Sequence, residues 1–223
     1  MIVLAIDCSS PVCALALTRG ATVLGTRAWD ADGRSRQQLF PHLESLLLDA
    51  GVTAAAIDLI AVGRGPGNFS GLRSSMAAAQ AMALPDGKPV LAVSSGRIVA
   101  ASAFAREPAL QQVKVIGDAR RGTLWQADFV RPAEGGVVAF AEWSLATADE
   151  LQASTTPGTL CVSSDVTRIR EVYPRLAEAL LPGESLLPSA ALLAGLARRE
   201  RELAMPSESF APVYMHPAVI API

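Results

Sequence analysis

The sequence has 223 residues, of which 51% are hydrophobic and 18% are charged, and its formal net charge at pH 7 is −2. This composition indicates a folded chain with a large apolar core and excludes a disordered protein. The nearly balanced charge argues against a protein that binds nucleic acid on its own through many lysine and arginine contacts with phosphates.

The cysteines and the first residues of the chain give information about the cellular location of the protein. Cys8, Cys13 and Cys161 form no C-x-x-C pair, which is typical of a reduced cytosolic protein. The first residues already predict a strand, without a basic leader and a cleavage site. No apolar run reaches the roughly 18 residues that a membrane-spanning helix needs. We therefore expect a cytoplasmic protein with no membrane partner.

The first half of the chain predicts the order β-β-β-α-β-α-β-α from its apolar spacing and its turn residues. The predicted elements are strands at 2–6, 12–17 and 21–29, a helix over 35–50, a strand at 57–62, a helix over 72–84, a strand at 89–93, and a helix that Ser94 or Ser95 caps and that ends near Arg106. The first strand leads directly to Asp7, so it places one carboxylate in a polar turn.

Near residue 108 the pattern begins again. The predicted elements are strands at 113–118, 123–130 and 137–141, a helix over 147–153, a strand at 159–162, a helix over 166–180, a short strand at 185–187, and a last helix from Ser189 to about Arg201. Asp118 ends the first strand of this copy, as Asp7 does in the first copy. We predict two similar α/β halves, 1–107 and 108–223, with a cleft between them, although two such meanders can also resemble each other by chance.

A glycine-rich segment links the predicted strand at 57–62 to the helix that follows it. It reads Gly63-Arg64-Gly65-Pro66-Gly67-Asn68-Phe69-Ser70-Gly71-Leu72-Arg73. Backbone amides at such a turn are able to bind an anion. However, Leu72-Arg73 stand where a Walker loop needs Lys-Ser/Thr, and a dinucleotide-binding pattern starting at Gly65 would end at Ser70. Two interpretations stay open: a tight turn that lets a helix pack closely on a sheet, or a loop that binds a ligand or a partner.

Together with residues 5–10 and 118–122, this segment resembles the bacterial TsaB family, and the resemblance covers nearly the whole chain. TsaB proteins are small relatives of actin, Hsp70 and the sugar kinases. The residues that match the family signature are Gly63, Arg64, Gly65, Pro66, Gly67, Phe69, Gly71 and Arg73. The resemblance implies a two-lobed α/β protein with the actin-like ATPase (ASKHA, RNase H-like) fold and duplicated βββαβαβα halves.

The resemblance also implies a function. It indicates a non-catalytic subunit of the machinery that forms N6-threonylcarbamoyladenosine at position 37 of tRNAs reading codons that begin with A. In that family the subunit binds and activates a larger paralogue, TsaD, which carries the metal and the transfer chemistry, and a small ATPase, TsaE, joins them. The resemblance further implies a homodimer when the protein is alone, tRNA contact only through the complex, and no cofactor of its own.

The larger paralogue carries V-N-H-x-x-x-H after its fifth strand, a spacing that directs two imidazoles at one metal ion. In this chain Ser95 and Val99 stand at the corresponding positions. The remaining histidines, His42 and His216, are far apart in sequence, and a lone histidine is more often a surface or core residue than a ligand. The sequence therefore predicts no metal centre and no catalytic residue.

Asp7 and Asp118 have two interpretations. In the ATPase fold, carboxylates at the ends of the first strands face the cleft and help to position a metal-bound nucleotide. With Ser9 they would then form a vestigial nucleotide site. Alternatively, both aspartates cap the turns that follow them through Asx hydrogen bonds.

The helices over 35–50 and 72–84 are apolar on more than one face. The resemblance implies that they form the dimer face of the family, packing as a four-helix bundle against TsaD or a second copy. Complete burial within one chain is the alternative. The expected interface residues are Phe40, Leu43, Leu47, Leu72, Met76, Ala78, Ala79 and Met82.

The chain departs from the family pattern at three places. Arg34-Ser35 replaces His-Ser, Cys8 stands where threonine is usual, and His216-Pro217 replaces charged residues after the closing Pro212-Val213-Tyr214. Two rival functions also stay open. The first is a glycoprotease-like peptidase, which needs a metal or a nucleophile, and the second is a small actin-fold ATPase or kinase, which only Asp7 and Asp118 support.

Overall fold

The computed structural model describes residues 1–30, 38–131, 139–140, 142–155 and 159–216. Within these ranges the chain forms two β-sheets with α-helices packed on them. The strands are β1 (Ile2–Asp7), β2 (Val12–Arg19), β3 (Thr22–Asp30), β4 (Leu59–Gly63), β5 (Val90–Val93), β6 (Gln112–Arg120), β7 (Thr123–Val130), β8 (Ala139–Phe140), β9 (Ser144–Ala146) and β10 (Leu160–Val162). The α-helices are α1 (Leu39–Asp49), α2 (Phe69–Ala83), α3 (Ser95–Arg106), α4 (Ala148–Ser154), α5 (Val166–Val172) and α6 (Ala190–Glu202).

The first sheet has the strand order β3-β2-β1-β4-β5. β1, β2 and β3 form an antiparallel meander, whereas β4 pairs in parallel with both β1 and β5. The central strand β1 is buried from Val3 onward, which explains its continuous apolar run. Its residues Leu4 and Ile6 lie in the core beneath α1 and α2, and Val3 and Ala5 lie in the core beneath α6.

The second sheet repeats this arrangement. Its order is β10-β6-β7-β8, and β9 also pairs with β7. β6 is antiparallel to β7 and parallel to β10, just as β1 is antiparallel to β2 and parallel to β4. The two sheets therefore share the pairing pattern that the predicted repeat requires, and an origin by duplication stays a prediction. Among the residues that the structure describes, the second sheet has no counterpart of β5.

Two helices connect the lobes. The buried helix α3 contributes Ile98 to the core of the first sheet and Val99 and Phe104 to the core of the second. The last helix, α6, lies on the first sheet, where Leu193 and Ala194 pack in the same core as Val3 and Ala5. The chain therefore returns to its first half at its end. The boundary at residue 107 stays a prediction.

Most predicted elements form, with shifted ends. α2 begins at Phe69 rather than at residue 72, because the Asn68 side chain accepts hydrogen bonds from the amides of Ser70 and Gly71, each at 3.2 Å. Gly71 is therefore inside the helix. Ser94 and Ser189 cap α3 and α6, as predicted.

Other elements differ from the prediction. The helix expected over 166–180 ends at Val172, and a 3-10 helix follows at Pro174–Ala179, because proline lacks the amide that a continuing helix needs. The strand at 185–187 does not form, whereas β9 was not predicted. The helix over 35–50 is seen from Leu39, and its first predicted residues, 35–37, lie outside the described residues, as do 137–138 and 141 of another predicted strand.

Candidate functional site

The glycine-rich segment, residues 63–73 and named the signature loop, packs directly on the β1–β2 turn. The Asn68 amide donates a 2.7 Å hydrogen bond to the Ser9 carbonyl oxygen. A Cβ atom added to Gly67 would lie 2.0 Å from that oxygen, and one added to Gly71 would lie 2.0 Å from the Cys8 carbonyl oxygen. These glycines are required because two backbone segments touch, which is the tight-turn interpretation.

Asp7 lies beneath the signature loop and is only 1% exposed. Its Oδ1 atom accepts hydrogen bonds from the amide and hydroxyl of Ser9 at 2.8 and 2.6 Å, and its Oδ2 atom accepts one from the Ser95 hydroxyl at 2.7 Å. The same hydroxyl accepts the Gly65 amide at 3.0 Å. Burial raises the pKa of Asp7 against the opposing effect of these donors. Gly63 leaves the room for this group, since an added Cβ would lie 1.7 Å from Oδ2.

A cleft of about 590 Å³ lies between the two lobes. Of the three residues predicted for a nucleotide site, Ser9 and Asp118 line this cleft and Asp7 does not. Its walls come from the β1–β2 turn, the signature loop, the end of β6, the start of α5 and the C-terminal tail. The charged, hydroxyl-bearing and histidine side chains on its surface belong to Ser9, Ser10, Asp118, Arg120, Ser163, Ser164, Asp165, Arg168, Tyr214 and His216.

Asp118 makes ion pairs on the second lobe. Its Oδ2 atom lies 3.0 Å from Arg168 Nε and 3.1 Å from Arg120 Nη1, and its Oδ1 atom accepts the Arg120 amide at 2.9 Å. Burial acts to raise the pKa of this carboxyl, but the Arg120 amide and the Arg168 guanidinium outweigh it and hold the pKa below its ordinary value. Tyr173 adds a longer hydrogen bond of 3.3 Å.

Both aspartates thus make the predicted Asx hydrogen bond to the amide two residues later, Asp7 to Ser9 and Asp118 to Arg120. The remaining contacts differ between the copies. Asp7 is buried among neutral donors, whereas Asp118 is paired with two guanidinium groups. The prediction that these carboxylates form a nucleotide site stays a prediction.

The C-terminal tail, residues 205–216, lies along the signature loop, a contact that the sequence did not predict. Arg64 Nε donates to the Ala211 carbonyl oxygen at 2.8 Å, and the Val213 amide donates to the Arg64 carbonyl oxygen at 2.8 Å. The Tyr214 ring lies 5.0 Å from the Phe69 ring, between centroids. Arg73 stacks on the same Phe69 ring and donates to the Tyr214 hydroxyl at 3.1 Å. The arginines and phenylalanine of the signature therefore hold the tail.

A buried ion pair links α3 to α6 and to the C-terminal tail. Arg97 on α3 is 5% exposed, and its Nη1 atom contacts the Glu200 carboxylate on α6, which is 3% exposed. The same atom lies 3.4 Å from the Glu208 carboxylate of the tail. Arg97 sits within the segment that corresponds to the paralogue's histidine motif, and in this chain that segment joins α3 to α6 and the tail.

The predicted partner interface is largely internal. Leu43, Leu72, Met76, Ala78 and Ala79 are buried in the chain's own core, which corrects their assignment to an exposed face. Leu47 and Met82 are half-buried, and Phe40 is 57% exposed. The prediction failed at these positions because helical spacing finds an apolar helix but does not say which of its faces meets the sheet.

A different set of residues on the same two helices faces solvent and is named the outer helical face. It consists of Phe40 and Leu48 on α1, Ala77 and Ala81 on α2, and Leu84 directly after α2. Leu48 is 79% exposed and Leu84 is 82% exposed. Both helices cover the same side of the first sheet, so these residues lie on the outer side of that helical layer. Large exposed apolar side chains in such a group are typical of a protein contact site.

The two histidines lie apart. The His42 ring stacks on Trp29 with centroids 4.6 Å apart, and His216 Nε2 lies 2.9 Å from the Ala119 carbonyl oxygen. Ser95, at one of the positions compared with a metal ligand, binds Asp7 instead. Across the described ranges no group of three or more histidine, cysteine or acidic side chains is arranged to hold a metal ion. The helices in these ranges also include none with the length and apolarity to span a membrane.

Comparison with known proteins gives consistent matches. A sequence model of the family described as TsaD: tRNA N6-adenosine threonylcarbamoyltransferase matches residues 30–166. The chain is 32% identical over 136 residues to the tRNA threonylcarbamoyladenosine biosynthesis protein TsaB of Escherichia coli (strain K12). That match covers 60% of this chain and 58% of the relative, so the chain spans little more than half of the relative's length.

Solved structures extend the similarity to nearly the whole chain. YeaZ from Pseudomonas aeruginosa superposes with a TM-score of 0.75 at 26% identity, covering 96% of this chain and 99% of that one. The activator of the 2-hydroxyisocaproyl-CoA dehydratase from Clostridium difficile superposes with a TM-score of 0.51 at 10% identity, covering 94% of this chain and 100% of that one, which shows the actin-like fold alone. Because the family model matches more than half of the chain and YeaZ superposes over nearly all of it, this protein belongs to the TsaB/YeaZ branch of the TsaD family.

Proposed function

We propose that the chain is an accessory, non-catalytic subunit in the formation of N6-threonylcarbamoyladenosine at position 37 of tRNA, and that it acts by binding and activating a TsaD protein. The names of its relatives support the pathway. TsaE is the proposed third, ATP-dependent component, tRNA is contacted only through the complex, and the isolated chain pairs with a second copy. A cytoplasmic location belongs to the same proposal.

The observation that carries this proposal is the outer helical face. Phe40, Leu48 and Leu84 expose more than half of their surface. Covering a side chain of this size stabilises a complex by about 1.5–3 kcal/mol before the costs of association. The small residues Ala77 and Ala81 let a partner helix approach α2 closely. We therefore place the TsaD contact on the solvent side of α1 and α2, and not on the buried residues first predicted from the sequence.

The test uses arginine substitutions at exposed alanines, which leave the core intact. Ala77→Arg and Ala81→Arg place a charged side chain in the proposed contact, and Ala153→Arg on α4 is the matched control because Ala153 is also exposed. Complex formation with the TsaD of the same genome is measured by size-exclusion chromatography with light scattering and by titration calorimetry. We expect a one-to-one complex for the wild type and the control, and at least about tenfold weaker binding, or about 1.4 kcal/mol, for the α2 variants.

Activity provides the second readout. With TsaD, TsaE, tRNA, ATP and an activated threonylcarbamoyl donor present, transfer of the threonylcarbamoyl group to tRNA should fall in the same order as the affinity, because an accessory subunit acts only when bound. If all three variants bound TsaD with equal affinity, the interface could not lie on the outer helical face. Failure of the wild type to form any complex, with or without nucleotide, would overturn the partner assignment itself.

The cleft between the lobes favours a second candidate, nucleotide binding by an actin-like ATPase or kinase. Its volume of about 590 Å³ lies within the range of ligand pockets. Asp118 and Ser9 line it, although Asp118 is already paired with Arg168 and Arg120. Saturable binding of Mg-ATP to the isolated chain, lost in Asp118→Asn, would support this candidate. Calorimetry without a binding signal at millimolar ATP would exclude it.

A further inference from the structure

Cys8 and Cys13 face each other at the end of the β1–β2 hairpin. The register of β1 and β2 ends with the pair Asp7 and Ala14, and Cys8 and Cys13 directly adjoin that pair with their side chains in contact. Opposite Cβ atoms in an antiparallel pair are about 4.5–5.5 Å apart, and a disulfide needs about 3.5–4.5 Å. A small approach of the two strand ends is therefore enough to join them.

The two thiols also lie on the same side of the sheet. Cys8 and Cys13 belong to the core cluster that contains Leu4 and Leu15 beneath α1 and α2, and each is less than 7% exposed. The side-chain contact with Cys13, together with burial, raises the pKa of the Cys8 thiol, whereas the contact with Cys8 lowers the pKa of Cys13. Cys13 is the more exposed of the two, at 6% against 3%, so we assign the first attack to Cys13, with Cys8 as its direct neighbour.

We propose that Cys8 and Cys13 form a reversible disulfide when the protein meets a peroxide. The Cys13 thiolate attacks one peroxide oxygen, the O–O bond breaks, and Cys13 becomes a sulfenic acid while hydroxide leaves and takes up a proton as water. The Cys8 sulfur then attacks the Cys13 sulfur, the S–O bond breaks, and a second water forms from the hydroxyl group and the Cys8 proton. In total, two thiols and one hydrogen peroxide give one disulfide and two waters, and a dithiol reverses the reaction.

The position of this pair connects it to the signature loop. The Cys8 carbonyl oxygen is the atom that an added Cβ at Gly71 would meet at 2.0 Å, and the next carbonyl, that of Ser9, accepts the Asn68 amide. Drawing Cys8 toward Cys13 moves the backbone on which α2 begins. The redox state of the pair therefore acts on the packing of the signature loop. This inference is independent of the proposed partner function.

The test measures disulfide formation in the full-length, folded protein. The reduced chain is treated with increasing hydrogen peroxide, denatured, alkylated and digested with trypsin. Because the first basic residue is Arg19, both cysteines fall in the single peptide 1–19. We expect this peptide to escape alkylation and to be about 2 Da lighter than its reduced form, as the loss of two hydrogens requires. Treatment with a dithiol should restore alkylation at both positions.

Cys161 is the internal control. It lies in a different core from Cys8 and Cys13, so it has no second thiol beside it, and burial raises its pKa to about 11; it should therefore remain an unoxidised, alkylatable thiol throughout. Simultaneous oxidation of Cys161 would show that peroxide acts on unfolded chains and would overturn the proposal. Full alkylation of Cys8 and Cys13, or their conversion to sulfinic acids without the mass loss, would overturn it as well.

Single variants identify the attacking thiol. In Cys8→Ser, the Cys13 sulfenic acid has no partner, so a dimedone-type reagent should label Cys13. In Cys13→Ser, Cys8 should stay unlabelled under the same conditions. Labelling of Cys8 rather than Cys13 would contradict the proposed order of steps. If a variant does not fold, the wild-type peptide mass still decides whether the disulfide forms.

Discussion

The Oδ2 atom of Asp7 accepts a 2.7 Å hydrogen bond from the Ser95 hydroxyl, which joins the end of the first strand to the start of a helix far along the chain. The hydroxyl oxygen also accepts a hydrogen bond from the Gly65 amide, so the Ser95 side chain connects β1, α3 and the signature loop. Ser95 therefore contributes to the position of the loop although it does not line the cleft.

Replacing Ser95 with alanine should destabilise the protein. The substitution leaves the Gly65 amide without its acceptor and removes one donor from the buried Asp7 carboxyl, which is expected to cost about 1–3 kcal/mol. Urea unfolding measures the change. Ser102→Ala is the control, because its hydroxyl only bonds to the Ile98 carbonyl of its own helix, and we expect a change within about 0.5 kcal/mol. If both variants lost the same free energy of unfolding, the Ser95 hydrogen bonds would contribute no more to stability than the Ser102 hydrogen bond does.

The stability of the protein should depend on the charge of Asp7 in a defined direction. Its pKa is raised in the folded state, so above the ordinary value of about 3.9 the folded protein holds more protons than the unfolded chain. The contribution of Asp7 to the free energy of unfolding is therefore fully present below the unfolded pKa, and it is lost as pH rises through the folded pKa. The difference in unfolding free energy between the wild type and Asp7→Asn should therefore decrease with rising pH, as measured by urea unfolding.

Asp118→Asn serves as the comparison and should show the opposite slope. Its pKa is lowered in the folded state, so its contribution is present above the ordinary value and is lost as pH falls through the folded pKa. The difference between the wild type and this variant should therefore increase with rising pH. Slopes of the same sign for both aspartates would contradict the contrast between a carboxyl among neutral donors and one paired with guanidinium groups.

A methyl group at Gly67 should disrupt the contact between the signature loop and the β1–β2 turn. The added Cβ would lie 2.0 Å from the Ser9 carbonyl oxygen, and backbone on both sides would have to move. We expect Gly67→Ala to destabilise the fold by about 1–3 kcal/mol, the range for overpacking. Thermal unfolding followed by circular dichroism measures it.

Gly195→Ala is the matched control. Gly195 is exposed in the middle of α6, and a Cβ added there meets no atom within 4 Å. Alanine is favoured over glycine within a helix, so this change should stabilise the protein by about 0.5–1 kcal/mol. A loss of stability in Gly195→Ala would mean that this side of α6 is covered in the folded protein rather than open to solvent.

The buried ion pair between Arg97 and Glu200 predicts strong non-additivity. Arg97→Met removes the guanidinium and leaves the Glu200 carboxylate buried without its partner, which should cost about 3–5 kcal/mol. The double variant Arg97→Met with Glu200→Leu removes both charges and should recover most of this loss. A double-mutant cycle by urea unfolding measures the coupling. Additive effects would contradict the direct contact between the two side chains.

The sequence predicted most of the elements in their order along the chain, because buried central strands give continuous apolar runs and serines mark helix starts. Pro174 and Asn68 show where it failed. The first splits a helix that apolar spacing extends through it, and the second caps a helix earlier than the glycines suggested. Both signals are visible in the sequence, but the apolar pattern outweighed them.

The site was less predictable because it depends on contacts between distant segments. Nothing local to Arg64 indicates that it binds the tail near Ala211, and nothing local to Asp7 says that Ser95 will cover it. The same limit applies to α2, where Ala77 and Ala78 are chemically identical and only the sheet beneath decides which is exposed. The residues of the signature therefore indicated the family, but only the structure showed which side chains are exposed and which are buried.

The return of α6 to the first sheet has a consequence for synthesis on the ribosome. One face of that sheet, including Val3 and Ala5, is covered only in part, by Ile98 of α3, until Ala190–Glu202 has emerged. At about 5–20 residues per second, the residues between the end of α3 and α6 take on the order of ten seconds to be made. For that time the nascent first lobe exposes an apolar sheet surface, which is the kind of surface that chaperones bind. The first half of this duplicated chain should therefore not complete its fold before the second half has been synthesised.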